Sequence, residues 1–161
     1  MRRSPDPSIP GASDPMLDPV LPPALPFVFH GRGIVAGAGA GPALVAMEPI
    51  SFFGDVDIRT GRITGDIPSV RNASIRACVL FLPLTRGSAG AWRILHQLQK
   101  HGNAPAALVI RERPDPSVVQ GAILGSIPIV CGGPMEAFDP RFNGVWADVD
   151  ATAGRVAIGR A

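Results

Sequence analysis

An apolar run, Ala77-Cys78-Val79-Leu80-Phe81-Leu82-Pro83-Leu84, stops at Thr85-Arg86-Gly87-Ser88, and a helical pattern follows. A strand that ends in a glycine turn leaves free N–H groups at the start of the next helix, and a serine and an arginine placed there can together hold a carboxylate. Ser88 is therefore the candidate reactive hydroxyl, and Arg86 and Gly87 complete the candidate substrate-binding turn. Helix N-capping alone also puts a serine in front of an amphipathic run, so the turn reads two ways.

The remaining reactive side chains are weaker candidates. Ser51-Phe52-Phe53-Gly54-Asp55-Val56-Asp57 brings a hydroxyl and two carboxylates together before Thr60-Gly61. Such carboxylates can bind a metal or shape a turn, and aspartate with glycine is ordinary turn chemistry. Gly31-Arg32-Gly33 and Gly37-Ala38-Gly39-Ala40-Gly41 invite a dinucleotide reading, but Ile34 and Val35 interrupt them, Pro42 follows, and no helix opens there. Tight β turns or bulges explain these glycines better. His30, His96 and His101 share no ligand-like spacing, and the chain lacks the glycine-flanked elbow of a serine hydrolase. Cys78 and Cys131 lie in or at the end of apolar stretches and read as buried free thiols rather than a disulfide or metal ligands.

The elements that must position these residues follow from pattern. Residues 1–26 are rich in proline, aspartate and serine without periodicity, which predicts a disordered extension, and 27–161 carry one folded domain. Short β segments are expected at Phe27 to Phe29, Gly33 to Gly37, Ala43 to Ala46, Arg62 to Thr64 and Ser74 to Leu82. Ala91, Ile94, Leu95 and Leu98 then recur at helical spacing between the Ser88 turn and Gly102. Ala106 to Ile110 reads as a buried strand, Pro116 to about Ile123 as a short helix opened by Asp115, and Ile127 to Val130 as another strand. Strand, helix, strand, helix, strand predicts a parallel α/β layer; a closing hairpin around Gly144 to Val149 and Arg155 to Ile158 adds an antiparallel one.

Composition narrows the function classes. With 161 residues and 46% apolar content the chain can bury a real core. A net charge of +2, with arginines scattered rather than clustered, disfavours nucleic-acid binding. Pro5, Asp6, Pro7 and Pro10 prevent a signal-peptide core, and Pro83 and Arg86 cut the best apolar run far short of a membrane span, so a cytoplasmic protein without membrane contact is expected.

Several motifs taken in order resemble the small subunit, or swivel domain, of the aconitase X family. They are Gly31-Arg32-Gly33-Ile34-Val35, Pro49-Ile50-Ser51-Phe52-Phe53-Gly54 with Val56-Asp57 and Thr60-Gly61, and Leu82-Pro83 with Arg86-Gly87-Ser88. Gly102 with Ala104-Pro105-Ala106-Ala107-Leu108-Val109, and Ile127-Pro128-Ile129-Val130, complete the series. The resemblance implies a swivelling β/β/α domain packed on a larger aconitase X partner subunit. It implies a hydro-lyase in which Ser88 is the catalytic base, Arg86, Gly87 and Ser51 bind substrate, and this chain alone binds no metal or other cofactor. An iron ion or iron–sulfur cluster is then expected on the partner. The substrate implied is a small hydroxy acid: cis-3-hydroxy-L-proline is the first expectation and phosphomevalonate the alternative, with Arg32, Arg71 and Arg76 available for a phosphate. The chain differs from the family pattern at Asp55, at Ile67-Pro68-Ser69 and at Ala89-Gly90-Ala91-Trp92. Asp55 and the Ala89 to Trp92 stretch favour a reading of another class, a non-catalytic binding module of the same fold.

Overall fold

Strands that are apolar on both faces must be covered on both faces, and the three central strands obey this. A computed structural model describes residues 24–159. In it β4 (Val79–Leu82), β5 (Ala107–Ile110) and β6 (Ile129–Cys131) are parallel neighbours, and every residue of β4 and β5 is buried. Alternation sorts their side chains: Val79, Phe81, Ala107, Val109 and Val130 enter one core, Leu80, Leu82, Leu108, Ile110 and Ile129 another. The second core is closed by two crossover helices, α2 (Ala91–Lys100) and α3 (Pro116–Gly125), which follow β4 and β5. The two helices approach so closely that a Cβ on Gly121 would lie 2.7 Å from the Trp92 Cα.

The first core is closed by a second sheet. There β1 (Phe27–His30), β8 (Arg155–Ile158) and β7 (Trp146–Asp150) run antiparallel, and β7 with β8 is the expected hairpin. Strand β3 (Ala38–Val45) belongs to both sheets: Ala38 to Pro42 pair antiparallel with β7, and Ala43 to Val45 pair parallel with β4. Strand β2 (Arg32–Val35) pairs antiparallel with β6. The order is β1-β8-β7-β3-β4-β5-β6-β2, and only Gly31 separates β1 from β2, so the two ends of the order are covalently joined. Two β layers therefore enclose Phe29, Val45, Phe81, Val109, Val156 and Ile158, with helices outside one of them. This is the β/β/α arrangement expected.

Several local expectations are corrected. The glycines at 37–41 do not form a turn; most of them lie within β3. A Cβ on Gly39 would meet the Ala106 carbonyl and one on Gly41 the Ala77 carbonyl, so close backbone approach accounts for them. At Gly33 the register slips between Gly33 and Val35, a bulge as expected. In place of the strand expected at Arg62 to Thr64, Ile63 and Arg62 form isolated bridges to Val56 and Ser74. After the Ser74 bridge, residues 75–78 turn instead of pairing, with Ala77 at φ 58° and the Ile75 N–H donating to the Gly61 carbonyl, so β4 starts only at Val79. The proline-rich head lies, through residue 23, outside the described residues. Among the described residues no helix is long and apolar enough to cross a membrane.

Candidate active site

Parallel strands carry their crossovers away from one edge, so the segments leaving the C-terminal ends of β3, β4 and β5 are brought side by side there. The segment after β3 runs beside the segment after β4: Ile50 and Thr85 form a parallel bridge, the Ile50 N–H donates to the Leu84 carbonyl at 3.3 Å, and the Arg86 N–H donates to the Ile50 carbonyl at 3.0 Å. This bridge puts Ser51 next to the Arg86-Gly87-Ser88 turn, although the two motifs are far apart in sequence.

Ser51 opens a one-turn helix, α1 (Phe52–Asp55). Its carbonyl accepts from the Asp55 N–H at 2.9 Å, and the Asp55 carboxylate accepts from the Ser51 N–H at 2.8 Å. The Ser51 hydroxyl makes no capping bond. Phe53 stands 54% exposed, and a Cβ on Gly90 would lie 2.8 Å from its ring, so glycine at 90 lets the ring rest on the start of α2.

Ser88 is half-buried, and its hydroxyl oxygen accepts from the Gly90 N–H at 3.2 Å. Gly90, not Ser88, occupies the N-cap position of α2, so the simple capping reading places the serine two residues too late. The first N–H groups of the helix are already engaged: Ala91 with the Ser88 carbonyl at 3.0 Å, Trp92 with the Ser117 hydroxyl at 3.1 Å, Arg93 with the Gly90 carbonyl at 3.1 Å. Among the described residues the N–H groups of Gly87, Ser88 and Ala89 have no such partner. Donors open to an incoming anion thus belong to the turn rather than to the helix. Arg86 is exposed and makes no ion pair among the described residues.

A third wall comes from residues that sequence reasoning used only to start a helix. Asp115 sits in the N-cap position of α3 but does not cap it; its carboxylate accepts from the buried Thr85 hydroxyl at 2.8 Å and faces Gly87. Ser117 was not singled out at all. The signal was available, since Asp115-Pro116-Ser117 offers two capping side chains where one helix start needs one.

Other candidates fall away from this edge or serve turns. Asp57 accepts from the Arg59 N–H at 2.9 Å, and Asp55 holds α1, so both carboxylates shape backbone. His30, His96 and His101 stand in β1, in α2 and after its last turn. Among the described residues no group of three or more histidine, cysteine, aspartate or glutamate side chains could hold a metal ion. Cys78 and Cys131 are free and only partly buried. Burial pushes the Cys78 thiol above its ordinary value, and it donates to the Ser74 carbonyl at 3.4 Å. Of the arginines offered for a phosphate, Arg71 is paired with Asp66 at 2.6 Å, and Arg76 lies before β4, at the opposite edge. Arg32 stands across from Cys131 at the end of β6 and shares with Arg113 a groove of about 510 Å³ floored by Ile34, Val119 and Ile123.

Two β layers joined by the shared strand β3, with helices on one side and a serine turn at the parallel edge, define a swivel-type domain. Residues 28–158 match the aconitase X swivel domain family, and the chain belongs to that family. It is 40% identical over 106 residues to the phosphomevalonate dehydratase small subunit of Methanosarcina mazei, covering 66% of this chain and 73% of that one. To the protein of the same name from Thermococcus kodakarensis it is 34% identical over 130 residues, 81% of this chain and 95% of the relative. The crystal structure of Thermococcus kodakaraensis aconitase X in its holo-form superimposes with a TM-score of 0.76 at 33% identity, covering 83% of this chain and 98% of the other.

Proposed function

We propose that this chain is the small subunit of an aconitase X-type dehydratase whose substrate is a phosphorylated hydroxy acid of the phosphomevalonate kind. The observation that carries the reading is the relationship to chains named as small subunits of phosphomevalonate dehydratase, one of them across 95% of its length. It moves the preference from cis-3-hydroxy-L-proline, the first expectation, to the phosphorylated alternative.

The chemistry is loss of water. Ser88, as alkoxide, takes the proton from the carbon beside the substrate carboxylate; the C–H electron pair becomes the C=C bond, and the hydroxyl on the next carbon departs. An unperturbed serine is far too weak an acid to be charged at neutral pH, so its alkoxide needs stabilising donors. The Gly90 N–H already donates to the Ser88 oxygen at 3.2 Å; the unengaged N–H groups of the turn and the Arg86 guanidinium add to it, and Arg86 with Gly87 and Ser51 orients the carboxylate. An iron ion or iron–sulfur cluster on the large subunit would supply the Lewis acidity that helps the hydroxide leave.

The reading requires the large subunit to cover this edge. Exposed Met47, Phe53 and Met135 border it, and the outward face of α3 exposes Ile123 at 61% and Leu124 at 50% on a helix with no charged residue. Apolar surface of this kind is what partner chains cover. Co-expression with the large subunit, followed by assays with phosphomevalonate and cis-3-hydroxy-L-proline, tests the assignment. Water loss from phosphomevalonate is expected; turnover of hydroxyproline alone overturns the substrate class, and turnover of neither in an assembled complex overturns the enzyme reading.

A further inference from the structure

The serine turn is tied at both ends to the first residues of α3. At its start, Thr85 and Asp115 bond reciprocally: the Thr85 hydroxyl donates to Asp115 Oδ2 at 2.8 Å and accepts from the Asp115 N–H at 3.3 Å. At its end, the Ser117 hydroxyl donates to the Ala89 carbonyl at 3.2 Å and accepts from the Trp92 N–H at 3.1 Å. Between these anchors the backbone at 86–89 is exposed or half-exposed, and the Ser88 side chain has one intramolecular bond, to the Gly90 N–H.

Each anchor is an unusual use of its residue. An aspartate in the N-cap position ordinarily accepts from its own helix, yet Asp115 makes no such bond. Thr85 is 5% exposed, one of two buried polar residues among the described residues, and a hydroxyl buried to that degree needs a partner. Asp115 Oδ1 lies 3.1 Å from where a Cβ on Gly87 would stand, so the carboxylate packs directly against the turn, and a side chain at 87 would push it by a few tenths of an ångström.

We propose that Thr85, Asp115 and Ser117 are positioning residues that hold Ser88 at a fixed place against the substrate, a role that rests on the reading of Ser88 as the base. The start of α3 acts as a clamp on the loop from β4, so the distance between base and substrate is set by two packed crossover helices rather than by the turn itself. Misplacing a reacting group by about 1 Å costs on the order of 100-fold in rate while leaving substrate binding almost untouched.

The test uses the co-expressed two-subunit complex. Thr85→Val keeps the shape and removes the hydroxyl; Ser117→Ala removes the second anchor; Thr85→Ser restores the first bond. The expected result is a kcat lowered by about 100-fold in Thr85→Val and about 10-fold in Ser117→Ala, with KM changed less than about threefold and recovery in Thr85→Ser. Backbone amide exchange at residues 86–90 should be faster in Thr85→Val and Ser117→Ala than in wild type and Thr85→Ser. Wild-type kcat and wild-type exchange in both variants, beside an inactive Ser88→Ala, overturn the clamp and leave the base intact. Full turnover by Ser88→Ala overturns the base reading instead, and exchange then decides whether the turn is clamped at all. If Thr85→Val fails to assemble, Ser117→Ala decides the question by the same two readouts.

Discussion

The parallel and antiparallel halves of this domain share an inner core but differ in what they do with their ends. In the antiparallel half, β7 turns directly into β8, and the turn's polar groups are taken up within it and by the neighbouring chain: the Ala153 N–H donates to the Asp150 carboxylate at 3.2 Å, the Gly37 N–H to the Thr152 hydroxyl at 3.1 Å, and the Gly31 N–H to the Gly154 carbonyl at 2.8 Å. In the parallel half, each strand must send its chain across a helix before returning. Three segments therefore leave one edge together, carrying Ser51, the Arg86-Gly87-Ser88 turn and Asp115. The polar groups of this hairpin turn are engaged, whereas the crossover loop after β4 leaves some over, and the leftover N–H groups at Gly87, Ser88 and Ala89 lie at the second kind of end.

This contrast predicts a separation of effects. The largest should come from the core both halves share: Phe81→Ala removes a fully buried ring that packs edge-on against Phe138 at 5.9 Å. A loss of about 3–5 kcal/mol is expected in urea unfolding, a large part of a typical domain's stability. A midpoint unchanged from wild type would mean that the two layers do not depend on one core. Gly90→Ala should show the opposite balance. Its new methyl displaces only the exposed Phe53 ring, so stability should change by less than about 1 kcal/mol while turnover of the complex falls about 10-fold. Equal losses in both would place Phe53 in the scaffold rather than beside the site. Smallest is Asp150→Ala at the hairpin turn, about 0.5–1 kcal/mol with turnover unchanged; a fall in turnover there would break the division between the two ends.

How much of this was legible in the sequence follows from the range of the forces involved. The buried strands at Val79–Leu82 and Ala107–Ile110 and the helix carrying Ala91, Leu95 and Leu98 announce themselves, because local apolar spacing decides them. The first half of β3 does not, since Gly39, Gly41 and Pro42 carry turn composition and become strand through their pairing with β7, where the Ala106 and Ala77 carbonyls leave no room for a Cβ at 39 and 41. Arg86-Gly87-Ser88 and Ser51 were visible as separate motifs. Their meeting was not, because the Ile50–Thr85 bridge joins segments with no shared periodicity. Asp115 was visible only as a helix start, since nothing local tells an aspartate to abandon its own helix for a threonine in the segment after β4.

The central claim is that this chain contributes the base of a dehydratase whose other half lies on a partner. Turnover of phosphomevalonate by the two-subunit complex carrying Ser88→Ala, compared with wild type at equal assembly, tests it most directly. The account predicts a loss of at least about 100-fold with the complex intact; wild-type turnover by Ser88→Ala would contradict it.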